Sequence, residues 1–405
     1  MSAAPDWRAS VTATARYDNI QKIQRLLDDQ GNRPQQIDAF TAEKEAYTGA
    51  TSLAEYESAC ERPPSLQADK AKPCKETEAK ASHAGDGGQA GARGDATLGT
   101  RIGKYHDCHY IGSGVTAEVY RSEAIALKVI VETHNIAPHD PVRETKILQG
   151  LHEPCIPLLE TFRDQEQRLV LVFPYMPLTL EALLERGGLT PAQVRSHFRH
   201  LFTALRDIHA EGIIHRDIKP SAVLLESPDG PAYLSDFGSS WHPRLSPAAA
   251  IAPEPADAKI LDIGTGPYRA PEVLFGDCAY GPAVDMWGAG ALLAECCRQP
   301  PRPLFESRPA HEDGSQLGLI LSIFKTIGSP TRESWPEATR FRTPPFDMYR
   351  AFEGRPWADV LQGIEPDFAE LIKSLVRYDS SRATAEQALA FDCLAESFAE
   401  DGSSV

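Results

Sequence analysis

The apolar positions divide the chain into three stretches of different texture. Over "YDNIQKIQRLLDDQG" (17–31), Ile20, Ile23, Leu26 and Leu27 fall at helical spacing and Gly31 is a natural stop. One short amphipathic helix is predicted near 17–30, either docked on the folded domain or a partner, or transient in a tail. Between 61 and 100 apolar residues nearly vanish while Gly, Ala, Lys and Glu accumulate. Such a stretch buries too little surface to offset ordering entropy, so the extension 1–101 is expected to be mostly disordered outside that helix. After residue 102, "DCHYIGSGVTAEVYRSEAIALKVIVE" reads as short strands around a glycine turn. "VRETKILQGL" then has a helical period, and "QRLVLVFPYM" is a buried strand ending at a Pro-marked turn. Beyond about 177, helical patterns such as "PAQVRSHFRHLFTALRDIHAEG" and "FAELIKSLVRYD" dominate, with no internal repeat. The predicted class is α+β and bilobal: a small β-rich lobe (102–174), then a larger helical lobe (177–398).

Composition narrows the setting. Apolar content of 42% and charged content of 24% over 405 residues are those of a soluble globular chain. No run of about 18 apolar residues appears, so no membrane span is expected. The start lacks a basic segment followed by an apolar one, so no secretory signal is expected either. A net charge of −16 argues against nucleic-acid binding, which needs a basic surface. Eight cysteines without a CxxC pair suggest a reducing interior, cytoplasm and/or nucleus. "YHDCHY" (105–110) invites a metal reading, but strand alternation would turn His106 and Cys108 away from Asp107 and His109. Four ligands would not converge there.

Several short motifs carry chemistry. "IGSGVTAEVY" (111–120) is a GxGxxA turn headed by Ile111, with Gly112, Gly114, Ala117 and then Val119. Dinucleotide-binding folds carry similar letters, but theirs open a helix, whereas strand-like segments follow here. A glycine turn between strands lets backbone N–H groups approach phosphates. In "AIALKVI", Lys128 lies within an apolar strand and needs an anionic partner; Glu144 on the following helix is a candidate. "IIHRDIKPSAVLL" (213–225) looks like a phosphoryl-transfer loop of the form HRDxKPxN, with Ala222 where the asparagine belongs.

Taken with Asp236-Phe237-Gly238, Ala270-Pro271-Glu272, Asp285 with Trp287, and Arg382, this loop resembles that of the eukaryotic protein kinases. The motifs stand in kinase order over roughly 300 residues. The resemblance implies ATP and Mg²⁺ as cofactors. Lys128 would grip the α- and β-phosphates while pairing with Glu144. Asp217 would accept the proton of the substrate hydroxyl, Asp236 would hold the metal, and Lys219 would touch the transferred phosphate. Lys219 also points to serine/threonine specificity. Val119, Ala126 and Leu224 would sandwich the adenine. Phe173 stands at the gatekeeper position, and the Pro174 carbonyl and Met176 backbone would meet the adenine edge. Glu272 would pair with Arg382. Leu148, Leu159, His215 and Phe237 would form an apolar spine between the lobes.

"GTGPYRAPEVLFG", "PLFES" and "IFKTIGSPTRESWPEA" are similar to the cyclin-dependent-kinase (CMGC) branch. Ala117 at the third glycine position adds a likeness to CDK-activating kinases, those of the cyclin-independent fungal type in particular. A protein substrate, with a cyclin-dependent kinase as one candidate, is the partner implied. Cyclin binding is doubtful, because "IAPHDPVRETKIL" keeps only Arg143-Glu144 of the cyclin-contacting helix. If Thr265 steadies Asp217 and Lys219, the usual phospho-threonine position falls at Ile260. Asp257 or Asp262 could then meet Arg216 in place of phosphate. Arg269 resembles the residue that biases such kinases toward proline after the target Ser/Thr, although Gly266 and Pro267 alter its surroundings. Ala222 removes a metal ligand, a loss worth about 3 kcal/mol in the barrier or roughly a hundredfold in rate. Two readings follow: an attenuated serine/threonine kinase, or a pseudokinase acting as scaffold or allosteric regulator.

Overall fold

The structure, a computed structural model, describes residues 11, 19, 22–23, 42–43, 46–47, 49–61, 99–114, 116–131, 137–249, 253–307, 316–346 and 351–395. Of the extension expected to be mostly disordered (1–101), residues 62–98 and most of the helix at 17–30 lie outside these residues. Asn19, Lys22 and Ile23 are helical, and a further helix, α1 (Leu53–Glu61), was not separated by pattern alone. Only Tyr56 and Cys60 of α1 are buried, a single i,i+4 pair and too little periodicity to register. These two join Ile23, Ala42, Ala46 and Ala50 in a small cluster that also touches Val131. Tyr56 Oη donates to buried Glu43 at 2.6 Å, and Lys22 pairs with Glu61 at 3.1 Å.

The small lobe is a six-stranded sheet in the order β1-β2-β3-β4-β6-β5. Its strands are β1 (Thr100–Ile102), β2 (Tyr105–Ser113), β3 (Ala117–Ser122), β4 (Ile125–Ile130), β5 (Glu160–Arg163) and β6 (Leu169–Pro174). Neighbours pair antiparallel, and short turns join all of them except β4 and β6, which the chain connects through a helix and β5. Leu127, Val129, Val170 and Val172 alternate along β4 and β6 and bury one face with Ile102 and Cys108. The opposite parity puts Ala126 and Lys128 toward the cleft. In β2, Asp107 has φ +52°, which interrupts strict alternation: His106, Asp107 and His109 are all exposed and only Cys108 is buried.

Between β4 and β5 stands α2 (Pro141–Leu148). Asp140 caps it by accepting from the N–H groups of Val142 and Arg143, and Pro141 occupies the first helical position. The Asp140 N–H donates to Gly238 O at 3.2 Å, which ties the start of α2 to the DFG turn of the other lobe.

The large lobe is helical. It opens with β7 (Leu178–Thr179), followed by α3 (Leu180–Glu185) and α4 (Pro191–Ala210), and β7 then pairs with β8 (Val223–Leu225), beside β9 (Ala232–Leu234), in a small sheet. Helices α5 (Pro271–Leu274), α6 (Ala283–Cys297), α7 (Leu317–Ile327), α8 (Trp357–Val360), α9 (Pro366–Leu375) and α10 (Ala385–Leu389) follow. Helix α6 is buried nearly all round, as befits the lobe's central element. At Gly290 an added Cβ would stand 2.7 Å from Leu375 Cβ, so only glycine lets α6 and α9 approach this closely. The Glu272–Arg382 pair joins α5 to the segment before α10, with bonds of 2.6 and 3.1 Å.

Candidate active site

The lobes enclose a cleft of about 470 Å³. Its roof is the β2–β3 turn, with Ile111, Gly112, Gly114 and Val119; its far wall is β4 with Ala126 and Lys128; its floor is β8 with Leu224. Phe173, Pro174, Tyr175 and Met176 line the edge where the lobes join. The Tyr175 N–H donates to Ala124 O, which fixes this crossing segment against the sheet. A Cβ at Gly112 or Gly114 would meet nothing within 4 Å, so the turn roofs open space that a nucleotide's phosphates fit.

Lys128 Nζ lies 2.6 Å from Glu144 Oε1 and 3.4 Å from Asp236 Oδ1. Burial acts to lower the lysine's pKa, but Glu144 and Asp236 outweigh it and raise it, so the ammonium stays charged. Asp236 sits at the head of the DFG turn with φ +63°, a strained conformation that aspartate tolerates better than most residues. Its side chain is 45% exposed to the cleft. Desolvation by the walls pushes its pKa up, yet Lys128 and Lys219 hold it well below the usual carboxylate range. An ionised, cleft-facing carboxylate is a fitting ligand for a divalent ion.

The catalytic loop is held from beneath. Asp285 accepts from the His215 and Arg216 N–H groups at 2.8 and 2.7 Å and contacts His209 Nε2 at 2.8 Å. These bonds sustain Arg216 at φ +74°. His215 Nε2 lies 2.8 Å from Ser235 O, which can only accept, so Nε2 carries the proton and Nδ1 accepts the Asp217 N–H. The imidazole also meets Phe237 edge-on, with centroids 4.9 Å apart. Both oxygens of Asp217 are engaged: Lys219 Nζ is 2.5 Å from Oδ2, and Thr265 Oγ1 donates to Oδ1 at 2.7 Å.

Ala222 closes the 3-10 turn Pro220–Ala222 and is wholly buried. Its carbonyl accepts from both N–H and Oγ of Ser235 at 2.9 Å. The loop backbone therefore has anchors that do not depend on a side chain at 222. The methyl group offers no donor or acceptor, so the fit for metal is limited to the Asp236 side.

Two expectations need correction. Leu159 is 53% exposed and takes no part in a spine; its neighbour Leu158, in the segment just before β5, packs against the core instead. Arg216 meets neither Asp257, which is exposed, nor Asp262, which lies 3.4 Å from Arg269 Nη2. Its carboxylate partner is Glu254, which no motif or spacing singles out. Arg269 is buried and donates to Gly264 O.

Two lobes, a glycine turn over the cleft, a lysine–glutamate pair and an HRD loop facing a DFG turn together define a protein kinase. A family model for the protein kinase domain matches residues 105–393, and the chain belongs to that family. Within it the chain lies on the serine/threonine, cyclin-dependent-kinase-like branch, with a likeness to the CDK-activating type. It is 31% identical over 296 residues to serine/threonine-protein kinase csk1 of Schizosaccharomyces pombe, covering 69% of this chain and 90% of that one. It is 32% identical to cyclin-dependent kinase 7 of Xenopus laevis (72% and 81% covered) and 31% identical to that of Carassius auratus (72% and 82%). ATP and a divalent metal ion are used by this family in general. No described helix is long and apolar enough to cross a membrane.

Proposed function

We propose that the chain transfers the γ-phosphate of ATP, with Mg²⁺, to serine or threonine hydroxyls of a protein, at a rate reduced by Ala222. One observation carries this reading: Lys128, Glu144, Asp217, Lys219 and Asp236 line one cleft and form a chain of ion pairs, Glu144–Lys128–Asp236–Lys219–Asp217, each within 4.0 Å. Lys128 would orient the α- and β-phosphates. Lys219, 2.5 Å from Asp217 and 4.0 Å from Asp236, is set to follow the transferred group, leaving Asp217 Oδ2 to accept the hydroxyl proton. Thr265 keeps the other Asp217 oxygen fixed while that happens. Mg²⁺ would be held by Asp236 and would neutralise charge on the phosphates. Nothing at 222 can hold a second ion, and the cost is that of one preorganised group, about 3 kcal/mol. The family resemblance suggests a cyclin-dependent kinase as substrate.

A pseudokinase is the second reading, favoured by the buried methyl group at 222. The test is phosphate transfer from Mg·ATP to a cyclin-dependent kinase and to a generic basic protein. Native chain, Ala222→Asn and the dead control Lys128→Met are compared. The proposal expects native activity above the control and a manyfold gain in Ala222→Asn. Native activity equal to the control, with nucleotide still bound, would leave the scaffold reading standing.

A further inference from the structure

The segment from the DFG turn to Glu272 contains five hydroxyl residues: Ser239, Ser240, Ser246, Thr265 and Tyr268. Ser239 and Ser240 are buried beneath the catalytic loop, with their hydroxyls 3.3 Å from His215 O. Ser246 is fully buried and accepts the His242 N–H. Thr265 is bound to Asp217, and Tyr268 Oη donates to Glu295 at 2.5 Å. None of the five stands at the chain surface ready for a modifying enzyme.

Between them lies Glu254, 1% exposed. Its Oε1 accepts from Arg216 Nη1 and from the Ile260 N–H at 3.0 Å, and its Oε2 is 3.7 Å from Arg143 Nη1. Its own carbonyl accepts from Trp241 Nε1 at 2.9 Å. Tyr280 Oη closes the ring by donating to Ile260 O at 2.7 Å, and it lies 3.1 Å from Arg216 Nη1. Glu254 thus joins four parts of the site: its carboxylate meets the HRD arginine of the catalytic loop, Arg143 on the same helix as Glu144, and Ile260 in the segment leading to Thr265, and its backbone carbonyl meets Trp241 just after the DFG turn.

We infer that Glu254 is an intrinsic activating anion, holding helix α2, the catalytic loop and the activation segment in the transfer-competent arrangement without phosphorylation. A carboxylate has two oxygens where a phosphate has three. Arg216 Nη2, Arg143 Nε and Glu254 Oε2 are all buried without a hydrogen-bond partner, so Glu254 holds Arg143 by charge across 3.7 Å rather than by a hydrogen bond. Glu254 is a positioning residue: it touches no reacting atom and acts through Arg216 and Arg143. A charged pair left broken in a buried site is costly, so the clamp has no cheap alternative partner.

This inference rests on the kinase reading above, and the experiment separates the two. Native chain, Glu254→Gln and the exposed-charge control Asp257→Asn are each treated with a broad-specificity phosphatase. Phosphate transfer, nucleotide affinity, thermal midpoint and hydrogen exchange over 256–265 are then measured. The expected result is native activity unchanged by phosphatase, unchanged activity in Asp257→Asn, and a loss of kcat of about tenfold or more in Glu254→Gln. Nucleotide affinity should hold and exchange over 256–265 should rise. A merely structural glutamate would lower the thermal midpoint and nucleotide affinity together with kcat. Phosphatase-sensitive native activity, or a Glu254→Gln variant with native kcat and exchange, overturns the inference. If the native chain transfers no phosphate, the kinase reading fails, and exchange over 256–265 alone decides whether Glu254 is the clamp.

Discussion

Glutamine at position 144 tests the cleft at its most connected point. Glu144 is buried at 2.6 Å from Lys128 Nζ, and Asp236, at 3.4 Å, is the ammonium's other anion. The substitution keeps size and one carbonyl oxygen while removing the charge. At an effective dielectric near 20, the gross attraction at this separation is about 6 kcal/mol. Desolvation of both ions offsets most of that, and a hydrogen bond to a charged group contributes about 1.5–3 kcal/mol net. Without Glu144, Lys128 pairs with Asp236, which pulls the ammonium from the phosphates and neutralises the carboxylate meant for metal. The expected loss in kcat/KM for ATP is therefore about 10- to 150-fold. Initial rates at subsaturating ATP measure it, with nucleotide affinity and thermal midpoint taken on the same preparations. A folded Glu144→Gln variant within about threefold of native would show that Asp236 alone positions Lys128, and the reasoning would be wrong.

Two further outcomes follow from buried charges away from the cleft. Arg382→Ala leaves Glu272 buried without its counter-ion and strips donors from Arg377 O and Ala283 O, at a cost of about 3–5 kcal/mol. The thermal midpoint should fall by at least about 6 °C, and Arg382→Lys should rescue little because the bidentate geometry is lost. Asp285 predicts an acid limit. Burial raises its pKa, but His209, the Arg216 N–H and nearby charge outweigh that and leave it lowered. A carboxylate with a depressed folded pKa contributes stability that is present above its unfolded pKa and lost as pH falls through the folded value. The loss begins below about pH 4. Urea midpoints between pH 7 and pH 3 should show it, and Asp285→Asn should be less stable at pH 7 with a shallower acid slope.

Legibility in the sequence followed the range of the constraint. Lys128, Asp217, Asp236 and Thr265 were visible because phosphoryl transfer fixes residue types at short, ordered spacings, and these residues converge as their order suggests. Val119, Ala126 and Leu224, which the family resemblance assigned to the adenine, line the same cleft as Lys128. Leu159 failed as a spine residue because "PLLE" gives two adjacent leucines and no pattern in the chain says which one turns inward; Leu158 does and Leu159 is exposed. Glu254 was out of reach for a different reason. It lies 18 residues before Glu272 in a Pro/Ala-rich stretch, and its partnership with Arg216 depends on the path of an irregular segment. Charge alone nominated Asp257 and Asp262, which stand closer to Ile260 in the chain but not in the buried site.

The same contrast bears on Ala222. Loss of catalytic function relaxes every residue that served only catalysis, so changes should spread over the lysine, the two aspartates and the segment that steadies them. Here the lysine and both aspartates are kept, although the activation segment departs from the usual pattern at Ile260, Gly266 and Pro267, and the groups around Ala222 remain paired: Lys128 with Glu144, Asp217 with Lys219 and Thr265, Asp285 with the loop backbone. Several of these arrangements are costly. Arg216 and Asp236 hold positive φ angles worth about 1–3 kcal/mol of strain each, and the Arg216–Glu254 pair is fully buried. A scaffold has no use for a strained DFG aspartate kept ionised toward an open cleft. A kinase in which Asp236 would hold a metal ion does, and that asymmetry is the reason attenuation is proposed rather than abandonment of phosphate transfer.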